Sequence, residues 1–322
     1  MPKRRLAIPI GDPAGIGCEI ALKALCDARV RERCAPVIVG DAALIARCNA
    51  AFGTNLPLRV APDIVFADDA IAVLDVPSLD PQQFRFGAVA AGNGRALLAY
   101  AEAAIRLALA GAVDGVVAAP HNQSSIKAAG IAFDGYPGLL ARLTGLDEDD
   151  VPLMVVSERF RIAHVTLHLS VRDALRRIER GRILKVIAAT DTALRRMGIA
   201  RPRIAVSGLN PHAGENGLFG AEEQTEIAPA IADARARGID AAGPFGADVM
   251  LARGGADAYV VMLHDQGHVP IKLEPGGAAF SIGAPILFAT VAHGSAHDIA
   301  GRGVADPSAM INTLRWSAAA TD

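Results

Sequence analysis

Residues 258–272, Ala-Tyr-Val-Val-Met-Leu-His-Asp-Gln-Gly-His-Val-Pro-Ile-Lys, change character halfway along. An apolar run with β-branched residues gives way at His264 to a polar turn that holds two histidines, an Asp, a Gln and a Gly. A buried strand that opens into polar residues at its C-terminal end is how open α/β sheets place their ligand sites. Residues 203–212, Arg-Ile-Ala-Val-Ser-Gly-Leu-Asn-Pro-His, have the same form, as do 161–168, Arg-Ile-Ala-His-Val-Thr-Leu-His. Three strand ends that each carry a histidine suggest one metal site built from His168, His212 and His264, with an open position for substrate. The plainer alternative is three unrelated histidines in loops. His164 lies inside an apolar run and reads as a core or edge histidine, although in a strand it shares a face with Thr166 and His168. His121, His268, His293 and His297 lie in loops, and pattern alone assigns them nothing.

The remainder of the chain supplies a frame for such a site. Its 322 residues suit two lobes better than one. With 52% hydrophobic and only 4% aromatic residues, the core is made of Ala, Val, Leu and Ile. A net charge of −2 and the lack of a basic stripe argue against nucleic-acid or membrane partners. Cys18, Cys26, Cys34 and Cys48 form no Cys-x-x-Cys pair, so reduced thiols in a cytoplasmic protein are expected. The first apolar stretch stops at Gly11-Asp12, too short for a secretory signal, and no run approaches a membrane span.

Read in order, strands are expected over 6–10, 36–40 and 113–118, with a strand pair at 153–156 and 161–166. Helices are expected from the first glycine-rich turn to about 28, then over 42–51, 89–110, 124–129, 137–144, 180–197 and 221–237. Residues 53–87, rich in Pro, Asp and Gly, read as short strands and loops. The alternation predicts a two-lobed α/β protein. Gly11-Asp-Pro-Ala-Gly-Ile-Gly17 stands between the first strand and its helix, where backbone N–H groups can meet an anion. The same glycines serve a tight turn equally well. The stretch is neither a Walker loop nor a Gly-x-Gly-x-x-Gly turn. Residues 293–307, His-Gly-Ser-Ala-His-Asp-Ile-Ala-Gly-Arg-Gly-Val-Ala-Asp-Pro, are small enough to approach a planar ligand. There Asp298 and Asp306 can accept from ribose hydroxyls or an adenine amine. A glycine-rich turn before the C-terminal helix is the other reading.

Taken together these motifs resemble the 4-hydroxythreonine-4-phosphate dehydrogenase (PdxA-type) family along nearly the whole chain. The matching residues are Gly11–Gly17, Asn210-Pro-His-Ala-Gly-Glu215 with Phe219-Gly220 and Glu222-Glu223, His264-Asp-Gln-Gly267 with Lys272, and His293-Gly-Ser-Ala with Asp298-Ile-Ala-Gly301. The resemblance implies an α/β, two-lobed isocitrate/isopropylmalate dehydrogenase-like fold with a central cleft, and not a Rossmann fold. It implies a cofactor-binding lobe at 1–118 plus 266–322, and a metal-binding and dimerisation lobe at 119–265. A homodimer with the active site at the subunit interface is implied as well. NAD is expected at Gly11, Asp12, His293, Gly294, Ser295, Asp298 and Asp306, the acidic residues favouring it over NADP. His168, His212 and His264 map to the family's metal ligands. Three imidazoles favour Zn2+ or Co2+ over Mg2+, with Mn2+ a further alternative. Asp248, as base or orienting group, and Lys272, as carboxylate binder or proton donor, match further active-site positions.

The chain also departs from the family. Pro120-His121-Asn122-Gln123 stands where Pro-Ile-Asn-Lys is usual, and Gly135-Tyr136-Pro137-Gly138 where Gly-His-Thr-Glu is usual. Phe288 stands in place of a substrate-binding Arg. Several polar substrate contacts, a phosphate-holding His-Thr pair among them, are lost together, and aromatic faces stand at Tyr136 and Phe288. At these positions the chain looks like the terephthalate dihydrodiol (1,2-dihydroxy-3,5-cyclohexadiene-1,4-dicarboxylate) dehydrogenase branch. The implied activity is a metal- and NAD-dependent oxidative decarboxylation in aromatic catabolism that yields protocatechuate, with His121, Gln123, Tyr136 and Phe288 at the substrate. The rivals are 4-hydroxythreonine-4-phosphate oxidation in pyridoxal phosphate biosynthesis and a metal-binding homologue without turnover.

Overall fold

The computed structural model describes residues 3–60, 64, 66–80, 82, 84–274 and 276–319. Of the loop-rich stretch expected over 53–87, residues 61–63, 65, 81 and 83 lie outside the described residues. The chain forms two compact units: Met1–Leu143 with Pro285–Ala319, and Thr144–Ala284.

The first unit begins with β1 (Arg4–Pro9), α1 (Gly17–Leu25), α2 (Ala28–Arg31), β2 (Cys34–Gly40) and α3 (Ala42–Ala51). It continues through β3 (Leu58–Val60), β4 (Ile71–Asp75), α4 (Ala91–Leu109), β5 (Gly115–Ala118), α5 (Gln123–Ala128) and α6 (Tyr136–Thr144). Leu6, Ala7 and Ile8 are wholly buried, as a parallel strand covered on both faces requires. The alanine-rich α4 is largely buried, as expected. Its Gly94 lets α5 approach, because a Cβ there would lie 2.2 Å from the Ser125 carbonyl oxygen.

The second unit contains β6 (Leu153–Val156), β7 (Arg161–His164), α7 (Val171–Arg177), α8 (Arg180–Arg196), β8 (Arg203–Ser207) and α9 (Ala228–Ala236). After these come β9 (Asp240–Phe245), α10 (Ala247–Arg253), β10 (Ala258–Val261), α11 (His264–Lys272) and β11 (Ala278–Ser281). Its strand order is β11-β6-β7-β10-β8-β9. β6 and β7 form the expected strand pair, and it is antiparallel. β7, β10 and β8 run parallel side by side. All three therefore deliver their C-terminal ends to one edge of the sheet, which is the geometry the histidine pattern requires. One expectation is corrected here: residues 264–272 form a helix, not a polar turn. The Gln266 side chain makes the difference. Its Oε1 accepts from the N–H groups of Met262 and Leu263 at 2.9 and 3.0 Å, which caps the helix start.

The chain then returns to the first unit with β12 (Leu287–Val291) and α12 (Ser308–Ala319). The strands of that unit run in the order β3-β4-β2-β1-β5-β12, and each pairs in parallel with its neighbours. Both unit boundaries fall beyond the expected 118 and 265. α5 stays with the first unit because it packs on α4, and β11 with the second because it pairs with β6. Cys18, Cys34 and Cys48 are buried, Cys26 is exposed, and all four are free. Among the described residues no helix is long and apolar enough to cross a membrane.

Candidate functional site

Beyond β7 the chain stays against β10. Val165 N donates to Val261 O at 2.9 Å, and Thr166 donates to Met262 O through both its N–H (3.2 Å) and its hydroxyl (2.7 Å). This carries His168 to the sheet edge where α11 begins. His264 opens α11 and His268 follows one turn later, so both project from one helix face. Their rings stack at 3.9 Å between centres with planes 6° apart. The His168 and His264 ring centres are 5.6 Å apart, and those of His164 and His268 are 4.7 Å apart. Gly267 makes the approach possible, since a Cβ there would lie 2.3 Å from His164 Nε2. His264 Nδ1 lies 2.6 Å from Asp265 Oδ1, so Nδ1–H donates to the carboxylate and Nε2 keeps its lone pair.

The electrostatics keep His164, His168 and His268 neutral at pH 7. Burial, then the charge of His268, pushes His164 down to about 3. Burial, then His264, pushes His268 down to about 4, and the same two causes lower His168. Neutral imidazole is the form a metal takes. Two imidazoles bound tetrahedrally at about 2 Å put their ring centres roughly 5 Å apart, which matches His168 and His264.

His212 stands on the neighbouring strand end, in a loop of unusual backbone. His212, Ala213, Glu215 and Asn216 all have positive φ, at 52°, 52°, 43° and 58°. Each such residue costs about 1–2 kcal/mol. Buried Glu223 holds the loop against that strain. Its carboxylate accepts from Leu209 N and Asn210 N, both at 2.7 Å, and from Asn210 Nδ2 at 2.9 Å. Burial pushes this carboxyl up, but the donors from Asn210 and Leu209 outweigh it and hold it below the usual range. Gly208 and Gly214 leave room for the fold, since Cβ atoms there would lie 2.8 Å from Ala213 Cα and 2.6 Å from Glu223 Oε2. The exposed His212 ring has Nδ1 3.4 Å from Glu215 Oε2 and meets Phe219 edge-on. Its Cα lies beside Gly246, which precedes α10 and the exposed Asp248. Gln266 Nε2 donates to Gly208 O at 3.1 Å and ties this strand end to α11. Exposed Lys272 closes α11, one turn after His268. The structure thus brings His168 and His264 together. Among the described residues it assembles no group of three or more His, Cys, Asp or Glu around a common centre for a metal.

In the first unit, Gly11 has φ 68°, and a Cβ there would lie 2.4 Å from Pro120 O. Asp12 is wholly buried and accepts from Ala14 N (2.9 Å), Ser125 Oγ (3.1 Å) and His297 Nε2 (3.0 Å). Asn122 Nδ2 donates to Ser295 Oγ at 3.0 Å, and Ser295 O accepts from Ile16 N at 2.9 Å. The glycine-rich turn, the segment after β5 and residues 295–297 are therefore one hydrogen-bonded body. Asp12 and Ser295 are committed to holding it together. His297, unassigned by pattern, completes it across 285 positions of sequence, and no local signal reveals such a pairing. His293, Gly294 and Asp298 are exposed. Asp306 is exposed too, and accepts from Ser308 N (2.9 Å) and Oγ (2.6 Å) at the start of α12; these bonds hold its carboxyl below the usual range.

His121 packs edge-on against Phe133 and Tyr136, with ring centres 5.2 and 5.1 Å away, and Tyr136 packs against Phe288 at 5.2 Å. The Tyr136 hydroxyl donates to Ala119 O at 3.1 Å. Both Tyr136 and Phe288 are buried, and burial lowers the pKa of His121, so the cluster carries no charge at pH 7. Gln123, at the first position of α5, is exposed.

The parallel strands and the motifs at their ends agree with what comparison with known proteins finds. The chain belongs to the PdxA family: the family described as pyridoxal phosphate biosynthetic protein PdxA matches residues 32–317. It is 44% identical over 316 residues to a 1,2-dihydroxy-3,5-cyclohexadiene-1,4-dicarboxylate dehydrogenase from a Comamonas species, covering 97% of this chain and 96% of that protein. Its fold matches a crystal structure of a 4-hydroxythreonine-4-phosphate dehydrogenase from Burkholderia phymatum, with TM-score 0.88, 38% identity and 100% of both chains covered. It also matches a terephthalate 1,2-cis-dihydrodiol dehydrogenase from Burkholderia xenovorans LB400, with TM-score 0.76 and 41% identity over 99% of this chain and 98% of that one. The resemblance read from the motifs is borne out, and with it the mixed α/β fold. All three relatives are named as dehydrogenases, and they differ in the substrate named.

Proposed function

We propose that this chain is an NAD-dependent dehydrogenase that oxidises terephthalate dihydrodiol and releases CO2 to give protocatechuate. The observation that carries this reading is the uncharged aromatic cluster of His121, Tyr136 and Phe288, in which Tyr136 stands where the family resemblance puts a phosphate-holding histidine and Phe288 where it puts a substrate-binding Arg. The cluster offers a phosphate no cation, and a ring substrate suits the half-buried His121 and the apolar wall that Tyr136 and Phe288 form behind it. The 44% identity to a dehydrogenase named for this dicarboxylate supports it. The reaction transfers hydride from the C2 carbinol to the nicotinamide and a proton from its hydroxyl to a base. The β-keto acid so formed breaks its bond to the C1 carboxylate, and loss of CO2 aromatises the ring.

His168, His212 and His264 would hold a divalent ion, Zn2+ foremost, which when bound polarises the substrate hydroxyl and lowers its pKa. Asp265 keeps the His264 tautomer that leaves Nε2 bare. Asp248 is assigned as base or orienting group, and Lys272 as partner of a substrate carboxylate. NAD is assigned to Gly11, His293, Gly294, Asp298 and Asp306, with Asp12 and Ser295 shaping the turn from behind. The two exposed carboxylates oppose a 2′-phosphate and so favour NAD over NADP. Gln123 is assigned to a polar group of the substrate. The assembly proposed is a cytoplasmic homodimer with its active site at the subunit interface.

A second reading, oxidation of 4-hydroxythreonine 4-phosphate, has the likeness to the Burkholderia phymatum enzyme in its favour. The deciding measurement is NADH formation by metal-loaded protein, with the dihydrodiol and the phosphate ester tested side by side. Turnover of the dihydrodiol alone, with one CO2 per NADH, is expected. Turnover of the phosphate ester alone sinks the proposal. Activity with neither favours a metal-binding homologue without turnover.

A further inference from the structure

His164 and His268 lie outside the proposed ligand set but sit directly against it. His164 is buried at the end of β7, with Nδ1 3.4 Å from Leu153 O and Nε2 3.1 Å from His268 Nδ1. The two rings meet through these nitrogens, and both also hydrogen-bond the His264 backbone, which fixes the His268 ring between His164 and the start of α11. The plane of that ring is thereby set, and it lies flat on His264 at 3.9 Å and 6°. A bound ion lies close to the plane of each imidazole that ligates it. Two stacked, parallel rings have no such point in common, so His268 supports His264 and does not share its ion. His264 is then held on its face by His268 and at Nδ1 by Asp265. Gly267 belongs to the same arrangement, because any Cβ there displaces His164.

We infer that His164 and His268 are positioning residues: anchored on the Leu153 carbonyl, they set the plane in which His264 presents Nε2 to a divalent metal. This rests on the metal reading above. The test, at one fixed pH, measures Zn2+ affinity by competition with a chromophoric chelator, the visible spectrum of the Co2+-loaded chain, and thermal melting. The variants are His164→Leu, His164→Gln, His268→Phe and His264→Ala. His164→Leu is expected to bind Zn2+ about 10- to 100-fold more weakly and to shift the Co2+ spectrum. His164→Gln restores a hydrogen-bonding group near the Nε2 position and recovers most of the loss. His268→Phe keeps the stacked ring, loses its hydrogen bond and weakens binding about tenfold. Wild-type affinity in His164→Leu, with binding lost in His264→Ala, overturns the positioning role and leaves the metal reading standing. Unchanged affinity in His264→Ala overturns both. If His164→Leu shows no cooperative melt, His268→Phe decides, and wild-type affinity there overturns the inference.

Discussion

Glu223 shows how one buried charge can govern a site it does not line. Its carboxylate gathers the backbone and side-chain donors of Leu209 and Asn210, and the left-handed run through His212 starts where those donors end. Removing the charge leaves the donors with a weaker acceptor and releases the strain held in the loop. Glu223→Gln is expected to destabilise the fold by about 1–3 kcal/mol, read from urea midpoints. It is also expected to weaken Zn2+ binding through His212, because the loop loses its anchor. A variant that keeps both stability and affinity refutes that coupling.

At the scale of elements, α5 shows a helix cap serving two structures. Asn122 Oδ1 accepts from Ser125 N at 2.9 Å and starts the helix, while Nδ2 donates to Ser295 Oγ and joins the body around Asp12. A cap alone contributes about 1 kcal/mol. Asn122→Ala is expected to cost about 2 kcal/mol, since Ser295 loses its partner as well. It is also expected to raise KM for NAD, because residues 293–298 are held through that bond. A loss no greater than an ordinary cap, with KM unchanged, removes the link. α11 shows the complementary case: Gly267 and Pro270 weaken it as a helix, yet Gln266 capping and packing on β7 hold it.

At the scale of the molecule, a neutral buried histidine makes stability depend on pH. The folded chain keeps His164 near 3, far below the ordinary value of about 6.5 for an exposed imidazole. Above pH 6.5 neither state is protonated there, and the full stability is present. As pH falls from 6.5 towards 4, the unfolded chain takes up a proton that the folded chain refuses. Stability of the metal-free chain is expected to fall by up to about 1.4 kcal/mol per pH unit from this residue alone. Urea midpoints at pH 7, 6 and 5 check the slope, and His164→Leu should flatten it. The proposed dimer predicts a light-scattering mass twice that of the chain; a monomer at working concentration rules it out.

Much of the frame was legible in sequence because it is locally encoded. The helix over Ala42–Ala51 and the antiparallel pair at 153–164 follow from apolar periodicity and from breakers a few residues apart. The three strand ends bearing His168, His212 and His264 were legible for the same reason, and so was the PdxA family, which rests on contiguous motifs. The helix at 264–272 was not, because Gly267 and Pro270 argued against it locally and the packing on β6 and β7 that holds it comes from elsewhere in the chain. The pairings of His297 with Asp12 and of His268 with His164 join residues 285 and 104 positions apart. Sequence by itself determined most of the strands and helices and which chemistry stands at their ends, since both depend on near neighbours; α11 is the exception. Only the tertiary structure decided which histidines meet, which carboxylates are buried in hydrogen-bonded networks and which rings close off from water, because those contacts form when the sheet order brings distant strand ends to one edge.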